Sequence, residues 1–158
     1  MEYLKSIQLD NTKNINYAQS TLINTIAHNK CNKISITSRD GIENRKERIG
    51  IVILARQHPG ETMASYVMQG VIDFLISDHE KAQYLRNHVV FKIIPMLNPD
   101  GVIHGHYRTS LSGADLNRRW KKINKVCFCG ALSDLCRNFI QRCMQRRGWL
   151  GSSKRNGM

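Results

Sequence analysis

The apolar positions fall into short runs and stripes that predict alternating strands and helices. From Asn16 to His28 the apolar groups Tyr17, Leu22, Ile23, Ile26 and Ala27 follow a helical spacing over about three turns, with Asn14 or Asn16 as its cap. Lys33 to Thr37, KISIT, alternates polar with apolar and predicts a half-buried strand. The next segment, SRDGIENRKERIG, is charged and reads as a solvated connector turning at Asp40-Gly41. Four consecutive apolar residues, Ile51 to Leu54, predict a strand buried on both faces in the middle of an α/β sheet. A helix ending near Asp78 follows, with Met63, Tyr66, Val67, Val71, Phe74 and Leu75 at helical spacing. A short helical stretch at His79 to Asn87 leads into Val89 to Pro95, a second interior strand.

Two buried strands joined by a helix make a βαβ-like unit, and such a crossover puts both strand ends on one edge of the sheet. The first strand stops at His58-Pro59-Gly60-Glu61 and the second at Asn98-Pro99-Asp100-Gly101, whose residue types suit a tight reversal. Open α/β folds bind ligands at that edge. His58 and Glu61, three residues apart at a helix start, suit a shared metal ion; taken alone, so short a motif more often marks a surface His beside an acid that favours the positive helix end. The loop that follows, VIHGHYRTSLSGADLNRRW, holds Arg108, Asn117, Arg118 and Arg119, with Gly105 and Gly113 permitting unusual backbone turns. Guanidinium groups there suit a carboxylate substrate, or else form a generic basic surface.

Composition alters this picture mainly at one end. The 158 residues are enough for one domain with a real core. No apolar stretch approaches the roughly 20 residues of a membrane span, and MEYLKSIQLDNTK lacks the apolar centre of a signal peptide, so a cytoplasmic protein with reduced cysteines is expected. The net charge of +12 is uneven: residues 1–120 hold 15 Lys and Arg against 11 Asp and Glu, whereas residues 121–158 hold 9 against 1. Four of the five cysteines also lie after Trp120. The chain is therefore expected to divide into 1–120 and a basic, Cys-rich tail, 121–158.

Taken in order, HPGE, PMLNPDG and YRTSLSGADLNRRW resemble the zinc metallocarboxypeptidase family, in particular its cytosolic carboxypeptidase branch. The resemblance covers residues 17–120. It implies the N-terminal part of an α/β catalytic domain, an incomplete mixed sheet with helices on both faces. His58 and Glu61 then correspond to zinc ligands, Arg108 to the arginine that stabilises the oxyanion, and Asn117 with Arg118 to the pair that grips the substrate's terminal carboxylate. The implied cofactor is Zn2+, and the implied partners are protein or peptide C-termini, with glutamates of polyglutamylated tubulin as one substrate of the branch. A third zinc-binding His and a general-base Glu belong to the same mechanism, well after the Asn-Arg pair. This sequence has no His after His106 and no Glu after Glu80, so weak or absent activity is expected. His104 and His106 lie where the branch places no ligand and read as exposed loop histidines.

The tail does not share the resemblance. Leu132 to Arg147 has the spacing of an amphipathic helix. Cys127, Cys129, Cys136 and Cys143 lack the paired knuckles of structural zinc sites, and the last three fit one helix face equally well. A product of splicing or frameshift, without selected structure, is the account that best suits the tail. Two other functions remain on these residues: a non-catalytic module that holds acidic C-terminal peptides through Arg108, Arg118, Arg119 and the tail, and nucleic-acid binding through the tail. The tail's basic run has no interleaved aromatics, which makes nucleic acid the weaker of the two.

Overall fold

The structure is a computed structural model that describes residues 2–7, 14–39 and 48–118. The Asp40-Gly41 turn, Arg119, the helix expected at Leu132 to Arg147, the tail cysteines and the basic run on which nucleic-acid binding would rest all lie outside the described residues. The expected division at Trp120 falls just beyond their end.

Helix α1 (Glu2–Ser6) precedes the hairpin of β1 (Asn16–Asn24) and β2 (Lys30–Thr37); β3 (Ile49–Leu54), α2 (Met63–Ile76), α3 (Glu80–His88), β4 (Val89–Ile94) and the short α4 (Pro99–Ile103) follow. The four strands form a mixed sheet in the order β1-β2-β4-β3. Two pairings are antiparallel, whereas β3 and β4 run parallel in register from Ile49↔Val89 to Leu54↔Ile94. The expected crossover is therefore present, with both strand ends on one edge.

The main core lies on one face of the sheet. There Ile34 and Ile36 of β2, with Phe91 and Ile93 of β4, meet Met68, Ile72 and Leu75 of α2, and Leu4 of α1 closes the end. Residues 68, 72 and 75 share one helical face, so each presents its side chain to the same strands. The opposite face carries a smaller cluster of Cys31, Ile94 and Leu97, flanked by Leu22, Ile23 and Leu54, all from strands and loops.

Three expectations are corrected. Residues 16–24 form a strand, not a helix: every position but Leu22, which sits at a bulge, faces a partner in β2, and Tyr17, Thr21 and Ile23 favour that pairing. With a strand following, Asn14 has no helix to cap; its Oδ1 accepts from the Arg39 N–H at 2.9 Å, tying the start of β1 to the end of β2. Second, β3 is not buried on both faces. It pairs only with β4 among the described residues, and Ile49 and Ile51 remain 49% and 37% exposed. Third, the apolar stripe expected to bury α2 is only partly the buried one. Leu75 and part of Val71 pack inward, but Met63, Tyr66, Val67 and Phe74 stay exposed. The helix is apolar on more than one side, and the position of the sheet selects which side goes in.

Candidate active site

The site is built where β3 and β4 end. Beyond β3 the chain enters Arg56 with φ +49°, a left-handed conformation uncommon outside glycine, and turns through Gln57 to Glu61 into α2. Beyond β4 it turns through Asn98 into α4. The two turns are stitched together: Leu97 N–H donates to the Ala55 carbonyl at 2.9 Å and Asn98 N–H to that of Arg56 at 3.1 Å.

Asn98-Pro99-Asp100-Gly101 was expected to be a tight reversal and is instead the start of α4. Asn98 is its cap, its Oδ1 accepting from Gly101 N–H at 3.0 Å, with Pro99 in the first turn where no N–H is needed. The buried Asn98 amide also donates to the carbonyls of Gln57, at 3.4 Å, and Thr109, at 3.1 Å. One side chain thus links both turns to the loop carrying Arg108. Asp100 points the other way, accepting from Thr25, Ala27 N–H and Asn29 in the β1–β2 turn. Burial would raise its pKa, but these donors outweigh that and hold the carboxyl below its ordinary value.

The segment after α4, from His104 to Arg118, folds over the first turn. Gly60 N–H donates to the Tyr107 carbonyl at 2.7 Å, and the Tyr107 ring lies so close that a Cβ on Gly60 would stand 2.5 Å from it. Gly105 and Gly113, at φ +72° and +73°, supply the left-handed turns expected of them.

These constraints bring four side chains together. His58 is buried, its Nδ1 2.9 Å from Glu61 Oε1 and its Nε2 3.0 Å from Asp115 Oδ1. Arg108 donates from Nε to the other Asp115 oxygen at 2.7 Å, and Asn117 N–H donates to Asp115 Oδ1 at 2.9 Å. Burial alone would raise the Asp115 pKa; the donors Arg108, His58 and Asn117, together with the Arg108 charge, bring it down to about 2. Asp115 is therefore ionised at neutral pH.

Of the residues singled out in the sequence, His58, Glu61 and Arg108 converge. Asn117 and Arg118 sit exposed on a 3-10 turn, Leu116–Arg118, and join the group through their backbone N–H donors to Asp115. His104 and His106 flank Gly105 with ring centroids 6.3 Å apart; His104 is exposed as expected, whereas His106 is half-buried. No group of three or more potential metal-ligating side chains occurs among the described residues. Asp115 was missed in the sequence; its signal was an acid two residues before Asn117. So were Asn98 as a link between turns, and Arg56.

Nitrogen and oxygen donors that face each other, with the second imidazole nitrogen held by a carboxylate, are the arrangement expected of a metal-ligating His and its supporting acid. The donor set of His58 and Glu61 therefore fits zinc as far as two ligands go.

Comparison with known proteins agrees with the fold. A metallo-carboxypeptidase from Burkholderia cenocepacia superposes with a TM-score of 0.76 at 26% identity, covering 87% of this chain and 36% of its own. The architecture is that of a metallo-carboxypeptidase domain. Residues 7–142 match the family model for zinc carboxypeptidases, so the likeness runs past the 17–120 carried by the motifs and into the segment after Trp120 that was expected to lie outside it, and the chain belongs to that family. It is similar to cytosolic carboxypeptidases: 48% identical over 119 residues to mouse cytosolic carboxypeptidase 6, covering 75% of this chain and 22% of the relative. It is 47% identical over 116 residues to human cytosolic carboxypeptidase 4, covering 70% of this chain and 10% of the relative. The chain thus spans less than a quarter of the length of these relatives.

Proposed function

We propose that the described site is part of a zinc-dependent carboxypeptidase centre acting in the cytoplasm on protein or peptide C-termini, terminal glutamates of polyglutamylated tubulin among them. His58 and Glu61 hold the metal, Arg108 stabilises negative charge on the scissile carbonyl oxygen, and Asn117 with Arg118 bind the substrate's terminal carboxylate. The observation that carries this reading is the His58 ring set between Glu61 and Asp115, beside the Arg108 guanidinium.

When bound, zinc supplies a Lewis acid for the carbonyl and lowers the pKa of its water to about 7. The chain's own residues do the rest of what can be assigned. Asp115 holds the His58 ring through Nε2 and leaves Nδ1 facing Glu61. The same carboxylate holds Arg108 through Nε, so the remaining guanidinium nitrogens are oriented without being consumed. Arg118 and Asn117, exposed on one short turn, offer planar donors suited to a carboxylate.

The sequence supplies neither a third imidazole beyond the Asn-Arg pair nor a late glutamate for a general base. We therefore expect zinc binding without turnover from the 158-residue chain. Isothermal titration with zinc, wild type against His58→Ala, tests the metal reading, and loss of the binding heat in the variant is the expected result. Release of C-terminal glutamate by the pure chain, abolished by chelation, would overturn the expectation of inactivity. The exposure of Asn117 and Arg118 favours a second reading, a non-catalytic module for acidic C-terminal peptides. Its mark is affinity that survives chelation and falls on Arg118→Ala.

A further inference from the structure

The turn carrying His58 and Glu61 is closed by a residue to which no role has been assigned above. Arg56 donates from both Nε and Nη2 to the Pro59 carbonyl, at 3.0 and 2.9 Å, and from Nη1 to Ser65 Oγ in the first turn of α2 at 2.8 Å. Its own carbonyl accepts from Asn98 N–H at 3.1 Å. One residue therefore joins the end of β3, the metal-binding turn, the start of α2 and the turn after β4.

The cost of placing it there is visible in the backbone. At φ +49° an arginine sits in the left-handed region, where a side chain other than glycine, Asn or Asp is disfavoured by about 1–3 kcal/mol. Glycine would relieve that strain but would remove the guanidinium. At the α2 N-terminus Thr62, at the cap position, makes no side-chain capping bond, so Arg56 supplies the side-chain link between the turn and the helix. Without Arg56, the Pro59 carbonyl and the Ser65 hydroxyl lose the bonds that hold the turn against the helix, and the separation of His58 from Glu61 is left to backbone bonds within the turn, chiefly Glu61 N–H to the His58 carbonyl at 3.2 Å.

We propose that Arg56 is a positioning residue of the metal-binding turn, setting His58 and Glu61 at the separation a shared metal ion requires. It touches neither metal nor substrate. The proposal rests on the reading of His58 and Glu61 as zinc ligands.

The test is a zinc titration of the full chain followed by the His58 ring signals in NMR, which reads binding without needing activity. Circular dichroism melts of each variant run alongside. Arg56→Met removes all three donations and is expected to weaken zinc about 10- to 100-fold, the usual effect of losing a group that orients a ligand. Arg56→Lys, which keeps the charge and can donate to one oxygen, is expected to fall between Met and wild type. Arg56→Gly, favoured by the backbone at this position, keeps the chain folded if Met does not; it is expected to bind zinc as weakly as Met while melting no lower than Met. Variants that melt lower but bind zinc with wild-type affinity would show a purely structural role and overturn the proposal. If wild type shows no zinc shift at His58, the underlying metal reading fails instead, and the two failures are distinguishable.

Discussion

His58 and Asp115 lie 57 positions apart in the chain, yet the His58 Nε2 stands 3.0 Å from the Asp115 Oδ1. This contact joins the turn after β3 to the 3-10 turn that carries Asn117 and Arg118. It also makes one carboxylate serve both His58 and Arg108, whose Nε is 2.7 Å from the second oxygen. Removing the charge should therefore disturb both at once. Asp115→Asn is expected to weaken zinc about 10- to 100-fold. Peptide affinity should fall in the same variant, because Arg108 loses its anchor. Parallel titrations with zinc and with a glutamate-terminated peptide check this, and a change in one ligand alone would separate the two roles.

Gly60 tests how tightly the Arg108 loop is seated. A Cβ there would lie 2.5 Å from the Tyr107 ring and 2.8 Å from the Tyr107 carbonyl oxygen. The ring can swing, but the carbonyl is fixed by accepting from Gly60 N–H. Gly60→Ala is expected to destabilise by about 1–3 kcal/mol, as overpacking does. Urea denaturation checks the size, and Tyr107→Ala in the same chain should recover only part of it, since the backbone clash remains.

How far the chemistry was legible depends on whether its signal was local. The His58–Glu61 turn could be read because an apolar run ends at Pro59-Gly60, and the β3–α2–β4 crossover because both strands are continuous apolar runs. The first strand, β1, could not. Its sequence, NYAQSTLIN, is mostly polar and exposed, and its pairing with β2 decides its conformation more than its own periodicity does. Asp115 became recognisable only once the fold had brought it to His58. Arg56 carries no sequence signal, because a left-handed arginine is imposed by its surroundings. The weak burial of Ile51 was hidden as well, since a short apolar run reads alike in a central strand and in one whose outer edge is unpaired.

The buried Asp100 should make stability depend on acid. Burial would raise its pKa, but Thr25, Asn29 and the Ala27 N–H favour the ionised form and hold the folded value below the ordinary carboxylate value of about 3.9. With the folded pKa depressed, this group's contribution is fully present above the unfolded value and is lost as pH falls through the folded one. Wild type should therefore lose more stability between neutral pH and about pH 3 than Asp100→Asn does, the variant beginning lower. Urea melts of both proteins across that interval check the sign. Asp115 titrates in the same direction and is present in both, so the difference between them isolates Asp100.

The position of β3 at the open side of the described sheet gives the last expectation, a contrast between two isoleucines. Ile93, on the central β4, is fully buried, pairs with Ile34 across the ladder and sits in the main core. Ile49, at the start of β3, is 49% exposed. Truncating each to alanine removes the same atoms, so the difference reflects surroundings alone. Ile93→Ala should cost about 2–5 kcal/mol, transfer and cavity terms together. Ile49→Ala should stay near the surface range of about 0.5 kcal/mol. Urea denaturation of the two variants measures both. A comparable loss at Ile49 would show that something in the full chain covers the outer edge of β3, and would return that strand to the buried role its sequence predicted.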